Sequence, residues 1–462
     1  MIFTSFKLEN FRGISQPVEI DLTKGNTSFP FVLVGNNESG KTTILKGIHY
    51  ISVLCQGETL SEDFFTFIRP KRAFFNDKVT LSACISYDVD DMKALKCHKK
   101  IICGENKENN QGTFELSFVY EFKKSACIED SVYINDTQVQ KSHSIMIWIR
   151  ERLAEIVYYD DFIFDVPEKI RFLKKSHNGD SSLAQDALLT SPINLQWQKI
   201  FNDLLIGGHM NDNNIKNKEK NLDISFQEDI VDCDDNDAVK QRIGLINGYL
   251  KSVVKEGWVD ITEGKSLFDD CIIEKSNSDH DTDSGFVDYC LQIKANNLFF
   301  YLHERSKGFR WFFCFKVLTE VRRHRSKNGI VFLLDEPANN LHIHPQRKIL
   351  SSLQTLSSIK GNKVIYSTHS PYLINDDNLD NLFTVRNEAN DFEAPRIVCE
   401  RFLELTTSTE ETVRAVEPIV QKTWITQLRI GADWIIEKFN GAAANAKKVN
   451  HIVDCVKHVI GG

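Results

Sequence analysis

No stretch of this 462-residue sequence approaches the run of roughly 18–20 apolar residues that a membrane span needs. The best candidate, Trp311 to Leu318, is short and interrupted by Lys316. The N-terminus, Met1-Ile2-Phe3-Thr4, has neither the basic region nor the apolar core of a signal peptide. Positive charge is in deficit: 56 Lys and Arg stand against 64 Asp and Glu, for a formal net charge of -8. That excludes a uniformly basic nucleic-acid sleeve and leaves room only for a local basic groove. The 11 cysteines are odd in number and irregularly spaced, which excludes a disulfide framework and predicts reduced thiols in a reducing cytoplasm. Sustained heptads are missing, so a long coiled coil is excluded, and no internal repeat is found. What is present is an ordinary globular balance, 42% hydrophobic and 26% charged.

Periodicity divides the chain. Phe3, Phe6 and Leu8 precede a turn at Asn10-Phe11-Arg12-Gly13, and Val18, Ile20 and Leu22 then alternate with polar residues. Phe31-Val32-Leu33-Val34 is a continuous apolar run, as in a buried parallel strand, and Thr42 to Leu54 carries helical spacing. Alternation between about 78 and 140, with a hairpin turn at Asn135-Asp136, predicts a β-rich flank. These segments make a first lobe of residues 1–143. Residues 144–286 read as a mostly helical insert with exposed loops at Asn211 to Lys220, Asp232 to Asp237 and Asn277 to Ser284. Helices and strands alternate again over 287–400, which predicts parallel α/β architecture, and 401–462 reads as partly helical.

Gly35-Asn36-Asn37-Glu38-Ser39-Gly40-Lys41-Thr42 fits the P-loop pattern in full, between an apolar strand and a helix. Glycines let backbone N–H groups turn toward a polyphosphate, and the helix presents its positive end. Lys41 would neutralise the β- and γ-phosphates of a nucleotide, and the Thr42 hydroxyl would ligate Mg²⁺. Ile330 to Leu334 is an apolar strand ending in Asp335-Glu336. Asp335 at the strand tip can orient the Mg²⁺ shell, and Glu336 beside it can polarise a water. His369, in Thr368-His369-Ser370-Pro371, follows the next strand and would reach the γ-phosphate or the attacking water. His342 and His344 lack a carboxylate or Cys neighbour and read as structural; Cys97-His98 with Cys103 reads as unligated thiols.

In the order of these motifs the chain resembles the ABC-type ATPase superfamily, in the branch of SMC heads, break-repair ATPases, RecF and the OLD family. The resemblance implies an α/β ABC-type ATPase head carrying the helical insert, with ATP and Mg²⁺ as cofactors. It also implies Glu336 as general base and His369 as switch histidine. Glu304 to Trp311 resembles the family's signature motif in degenerate form, with Ser306 and Gly308 meeting the γ-phosphate held by another subunit. Asn10-Phe11-Arg12 resembles an N-terminal motif whose Arg approaches the nucleotide, which makes Arg12 a candidate site residue.

The spacing of the motifs differs from that of transporter domains, and the insert lacks the coiled coil of SMC proteins. The roughly 90 residues after His369 are few for a further nuclease domain, and they show no Toprim-like carboxylate cluster. The stand-alone OLD-like ATPases remain, similar to the ATPase subunits of PARIS- or Septu-type anti-phage systems. That resemblance implies a cytoplasmic homodimer or higher homo-oligomer, without membrane contact, that controls a separate effector nuclease. A phage protein would be its trigger, and nucleic acid a further partner. The alternative is a RecF-like or SMC-like DNA-repair ATPase.

Overall fold

The computed structural model describes residues 1–14, 16–57, 62–69, 78–94, 101–102, 111–123, 126–140, 144–159, 166–175, 186–211, 224–256, 268–276, 285–322, 329–337, 343–374, 376–389 and 395–402. The antiparallel strands β1 (Ile2–Glu9) and β2 (Val18–Asp21) open the chain. An irregularity between Phe3 and Ser5 shifts the alternation, so Phe3, Phe6 and Leu8 are all buried. β3 (Phe31–Val34) is buried on every residue and leads into α1 (Lys41–Gln56), which stops at the left-handed Gly57. Next come α2 (Glu62–Ile68), β4 (Lys78–Tyr87), α3 (Val89–Ala94), β5 (Gly112–Lys123), β6 (Ala126–Ile134) and β7 (Thr137–Val139). Asn135 and Asp136 turn the β6–β7 hairpin with positive φ. Then follow α4 (Ser144–Arg152), β8 (Glu155–Tyr159), β9 (Ile170–Leu173), α5 (Pro192–Asn211) and α6 (Asn236–Leu250). β10 (Asp270–Lys275), β11 (Phe286–Ala295), β12 (Leu298–Tyr301) and α7 (Lys307–Arg322) come next. The described chain ends with β13 (Ile330–Leu334), α8 (Ile343–Ser358), β14 (Lys363–Thr368), β15 (Leu382–Asn387) and β16 (Ile397–Arg401).

Two compact units result. The first takes the described residues of Met1–Asp160, Asn328–Asn339 and Ile349–Gly462. It holds an antiparallel sheet in the order β2-β1-β4-β5-β6-β7 and a second sheet in the order β16-β15-β3-β14-β13-β8. In the second sheet β15, β3, β14, β13 and β8 are parallel and β16 is antiparallel. One buried apolar cluster joins Leu8, Leu81 and Phe118 of the first sheet to Ile44 and Ile48 of α1 and to Leu33, Val331 and Ile365 of the second. The central strands are buried on both faces, which explains their unbroken apolar runs.

The second unit takes the described residues of Asp161–Lys327 and Asn340–Lys348. Its sheet runs β10-β11-β12, with β9 also pairing β11, all antiparallel. Phe172, Phe201, Phe226 and Tyr289 pack as an aromatic cluster, with Phe172 and Phe226 stacked at 5.0 Å. Arg171 donates to both oxygens of the buried Asp288 at 2.9 Å.

The expected boundaries shift accordingly. Residues 144–159 are not part of an insert, because β8 pairs in parallel with β13. The insert is also less helical than its polar composition suggests, since it contributes β9 and β10 to a four-stranded sheet. β11, β12 and α7, which the sequence pattern places in the parallel α/β segment 287–400, group with that sheet in the second unit. The pair of half-buried Arg171 and buried Asp288 interrupts the apolar pattern that would have marked these strands. The stretch Asp232 to Asp237 is not a free loop: Asp235 caps α6 by accepting from the N–H groups of Asp237 and Ala238. The polar stretches 212–220 and 277–284, the Cys97-His98-Cys103 group, His342 and the region 403–462 lie outside the described residues. Among the described residues, no helix is long and apolar enough to cross a membrane.

Candidate active site

β3, β13 and β14 run parallel, so their carboxyl ends share one edge of the sheet. Each strand delivers a different chemical group there. β3 leads into the loop Gly35–Lys41, β13 into Asp335 and Glu336, and β14 into His369.

Backbone freedom shapes the loop. Gly40 has φ of 104°, and a Cβ there would lie 2.5 Å from the Ile397 side chain. A Cβ on Gly35 would lie 2.2 Å from the Val385 carbonyl oxygen. Ser39 N–H donates to Asn36 O at 3.2 Å. From inside the loop, Lys41 Nζ donates to the carbonyls of Gly35 and Asn36 at 2.8 and 2.9 Å. Ser39 Oγ is buried with no hydrogen-bond partner among the described residues. Asn36, Asn37, Glu38 and Thr42 are exposed around the loop. α1 has neither a side-chain cap nor an acidic residue in its first turn, so its positive end is left for a ligand. A narrow cradle, an orphaned buried hydroxyl, a buried lysine and an uncompensated helix start fit a nucleotide's phosphates.

Glu336 faces that cradle. Glu336 takes a left-handed φ of 49°, a conformation that costs a residue with a Cβ about 1–3 kcal/mol. Its Oε1 lies 3.2 Å from Lys41 Nζ, and its Oε2 lies 2.6 Å from His369 Nδ1. Its N–H donates to Ser367 Oγ at 2.8 Å. Asp335 accepts from Ser367 Oγ on Oδ1 at 2.6 Å and from the Tyr158 hydroxyl on Oδ2 at 3.2 Å. Each Asp335 oxygen keeps a lone pair for a metal-bound water, so Asp335 with Thr42 suits Mg²⁺. Burial pushes the Glu336 carboxyl toward its neutral form. The His369 contact and the Lys41 ammonium outweigh that burial and hold its pKa below the usual carboxylate value. An ionised carboxylate fixed beside the phosphate cradle is suited to taking a proton from water.

The Arg12 guanidinium stacks 4.0 Å from the centre of the Phe67 ring, and Arg12 N–H donates to Ile68 O. Burial lowers its pKa, with Tyr50 opposing. Ser306 and Gly308 belong to the second unit, where Ser306 Oγ accepts from Phe309 N–H at 3.3 Å and so caps the start of α7. Ser367 and Tyr158 escaped the sequence reading. Ser367 could have been noticed as a polar residue inside an apolar strand, two positions before His369. Tyr158 gives no such signal, because its partner is 177 positions away.

Uncharacterized protein MJECL43 of Methanocaldococcus jannaschii is 28% identical over 169 residues, which is 34% of this chain. The chain spans 39% of the length of that curated relative. Among solved structures, an SmcHead bound to the C-winged helix domain of ScpA is similar with a TM-score of 0.47 at 12% identity, over 87% of this chain and 98% of that one. A Pyrococcus furiosus Smc head domain with an extended coiled coil, bound to the C-terminal domain of ScpA, is similar with a TM-score of 0.44 at 13% identity, over 89% and 99%. A family profile described as AAA ATPase domain matches residues 1–374, and the chain belongs to that family.

Proposed function

We propose that this chain binds and hydrolyses ATP as the regulatory subunit of a bacterial anti-phage defence system. The observation that carries the hydrolysis is the triangle of Lys41, Glu336 and His369 at one sheet edge, with Glu336 ionised between two cationic or cation-capable groups. Lys41, Ser39, Thr42 and the loop glycines would hold the phosphates, and Thr42 and Asp335 would hold Mg²⁺. Bound there, Mg²⁺ supplies charge neutralisation on the phosphate oxygens. Glu336 is the base and His369 orients it from the neighbouring strand. The regulatory role rests on the OLD-like resemblance of the motifs. In it the chain forms a homodimer or higher homo-oligomer, answers a phage protein and restrains or releases a separate nuclease, without cutting nucleic acid itself.

The test compares Lys41→Ala with Glu336→Gln. Lys41→Ala should lose ATP binding. Glu336→Gln should keep ATP binding while phosphate release falls by about 10²–10⁴-fold. Phosphate release by Glu336→Gln near the wild-type rate would remove Glu336 from its role. For the biological role, cells carrying the gene with its neighbours are challenged with phage; protection that disappears with Glu336→Gln supports defence. Sensitivity to DNA damage in place of phage sensitivity would favour the DNA-repair alternative.

A further inference from the structure

Ser367 is completely buried on β14, and its hydroxyl stands between two successive residues of another strand's end. It accepts the Glu336 N–H and donates its own proton to Asp335 Oδ1. Ordinary ladder bonding ends just before this point. β13 and β14 pair as far as Leu334 opposite Tyr366, and Asp335 N–H still reaches Tyr159 O on the β8 side. The next amide, that of Glu336, has turned out of the strand with a left-handed φ. Among the described residues no strand carbonyl takes that amide; the Ser367 hydroxyl does. A hydroxyl used as acceptor by one residue and as donor to the other leaves neither free to move alone. The Tyr158 hydroxyl holds the second oxygen of Asp335, which fixes the rotation of that carboxylate.

We propose that Ser367 is a positioning residue for hydrolysis. It ties the Asp335 carboxylate to the left-handed backbone of Glu336, so the metal-side and base-side carboxylates move as one body. The inference rests on Glu336 being the base. Without the hydroxyl, the Glu336 amide and one Asp335 oxygen lose their partner in a buried setting, and the left-handed turn loses its anchor. The Glu336 carboxylate then departs from the charged groups that face it, Lys41 on α1 and His369 after β14, with Asp335 beside it on its own strand. Lys41 loses its Glu336 contact but keeps its bonds to the Gly35 and Asn36 carbonyls, so the phosphate loop holds its shape.

The experiment compares wild type, Ser367→Ala, Ser367→Thr and Glu336→Gln. Three properties are read: hydrogen exchange of the 335 and 336 amides without nucleotide, equilibrium ATP binding, and kcat and KM across pH. Ser367→Ala should bind ATP within about threefold of wild type while kcat falls about 10–100-fold. Its Glu336 amide should exchange faster, and the acid limb of its pH profile should move to higher pH. Ser367→Thr, which keeps the hydroxyl, should recover most of kcat and the slow exchange. If Ser367→Ala does not fold, Ser367→Cys replaces it with nearly the same volume and a weaker donor, and should shift every reading in the same direction. Wild-type exchange, kcat and pH profile in Ser367→Ala overturn the proposal, as does a Ser367→Thr protein that falls as far as Ser367→Ala. Full activity in Glu336→Gln instead overturns the base assignment, and so separates the two failures.

Discussion

Burial alone would favour a neutral Glu336, and it is the His369 contact and the Lys41 ammonium that keep the carboxylate charged. The depressed pKa links this residue to stability. A carboxyl whose folded pKa lies below its unfolded value contributes stability above the unfolded value, and that contribution is lost as pH falls through the folded one. Wild type should therefore lose stability relative to Glu336→Gln as the medium is acidified through and below the ordinary glutamate range. Urea unfolding of both proteins at a series of pH values measures this. A difference that stays constant, or that grows in favour of wild type on acidification, would show that Glu336 is not held ionised. The same pairing bears on catalysis: a base already ionised at neutral pH needs no deprotonation before it acts, and its limit lies on the acid side.

At the scale of elements, the phosphate loop is shaped by strands far from it in sequence. β15 places the Val385 carbonyl against Gly35, and β16 places Ile397 against Gly40. Both strands lie beyond residue 374, where the family match ends. Gly40→Ala meets two obstacles, the Ile397 side chain and a φ of 104° that no alanine holds easily. It should lose about 1–3 kcal/mol of stability and most of its ATP affinity. Adding Ile397→Ala removes the first obstacle only, so affinity should stay low in the double variant. Urea unfolding and equilibrium binding of the single and double variants decide this; full recovery of binding would mean that contact, not backbone conformation, fixes the glycine. The loop itself was legible in the sequence because its chemistry is contiguous, and Asp335, Glu336 and His369 were legible because each follows an apolar strand. The supports were not. β8 meets β13 across 175 positions of sequence, Glu155 opposite Ile330, and nothing local in Glu155–Tyr159 announces that pairing. Ser367 and Tyr158 matter through single hydroxyls, which hydrophobic periodicity does not register. The sheet of the second unit was hidden by a partly buried ion pair and by strands as short as Ile170–Leu173.

For the whole molecule, the arrangement of sites among subunits decides whether it can work as a switch. Lys41, Asp335, Glu336 and His369 belong to the first compact unit, whereas Ser306 and Gly308 belong to the second. The resemblance to ABC-type ATPases implies that the signature stretch of one copy completes the phosphate site of another. The described geometry suits the role locally. Ser306 caps a 16-residue helix, and α7 has no acidic residue in its first turn to repel an anion. ATP-dependent pairing of two copies would then be a two-state element able to hold or release a partner. Lys41→Ala removes the cation of one half-site, and Gly308→Asp puts a negative charge at the start of the other. Each variant alone should be inactive. If sites form between copies, a mixed dimer carries one site with both intact halves and one with both defects, so mixing should restore up to about half the wild-type rate per mixed dimer. Phosphate release is measured after co-expression with two affinity tags and purification through both, which selects mixed oligomers. Recovery well above the sum of the two parents supports sites shared between copies. No recovery in verified mixed oligomers would mean that each chain builds its site alone, and that Ser306 serves only to cap its helix.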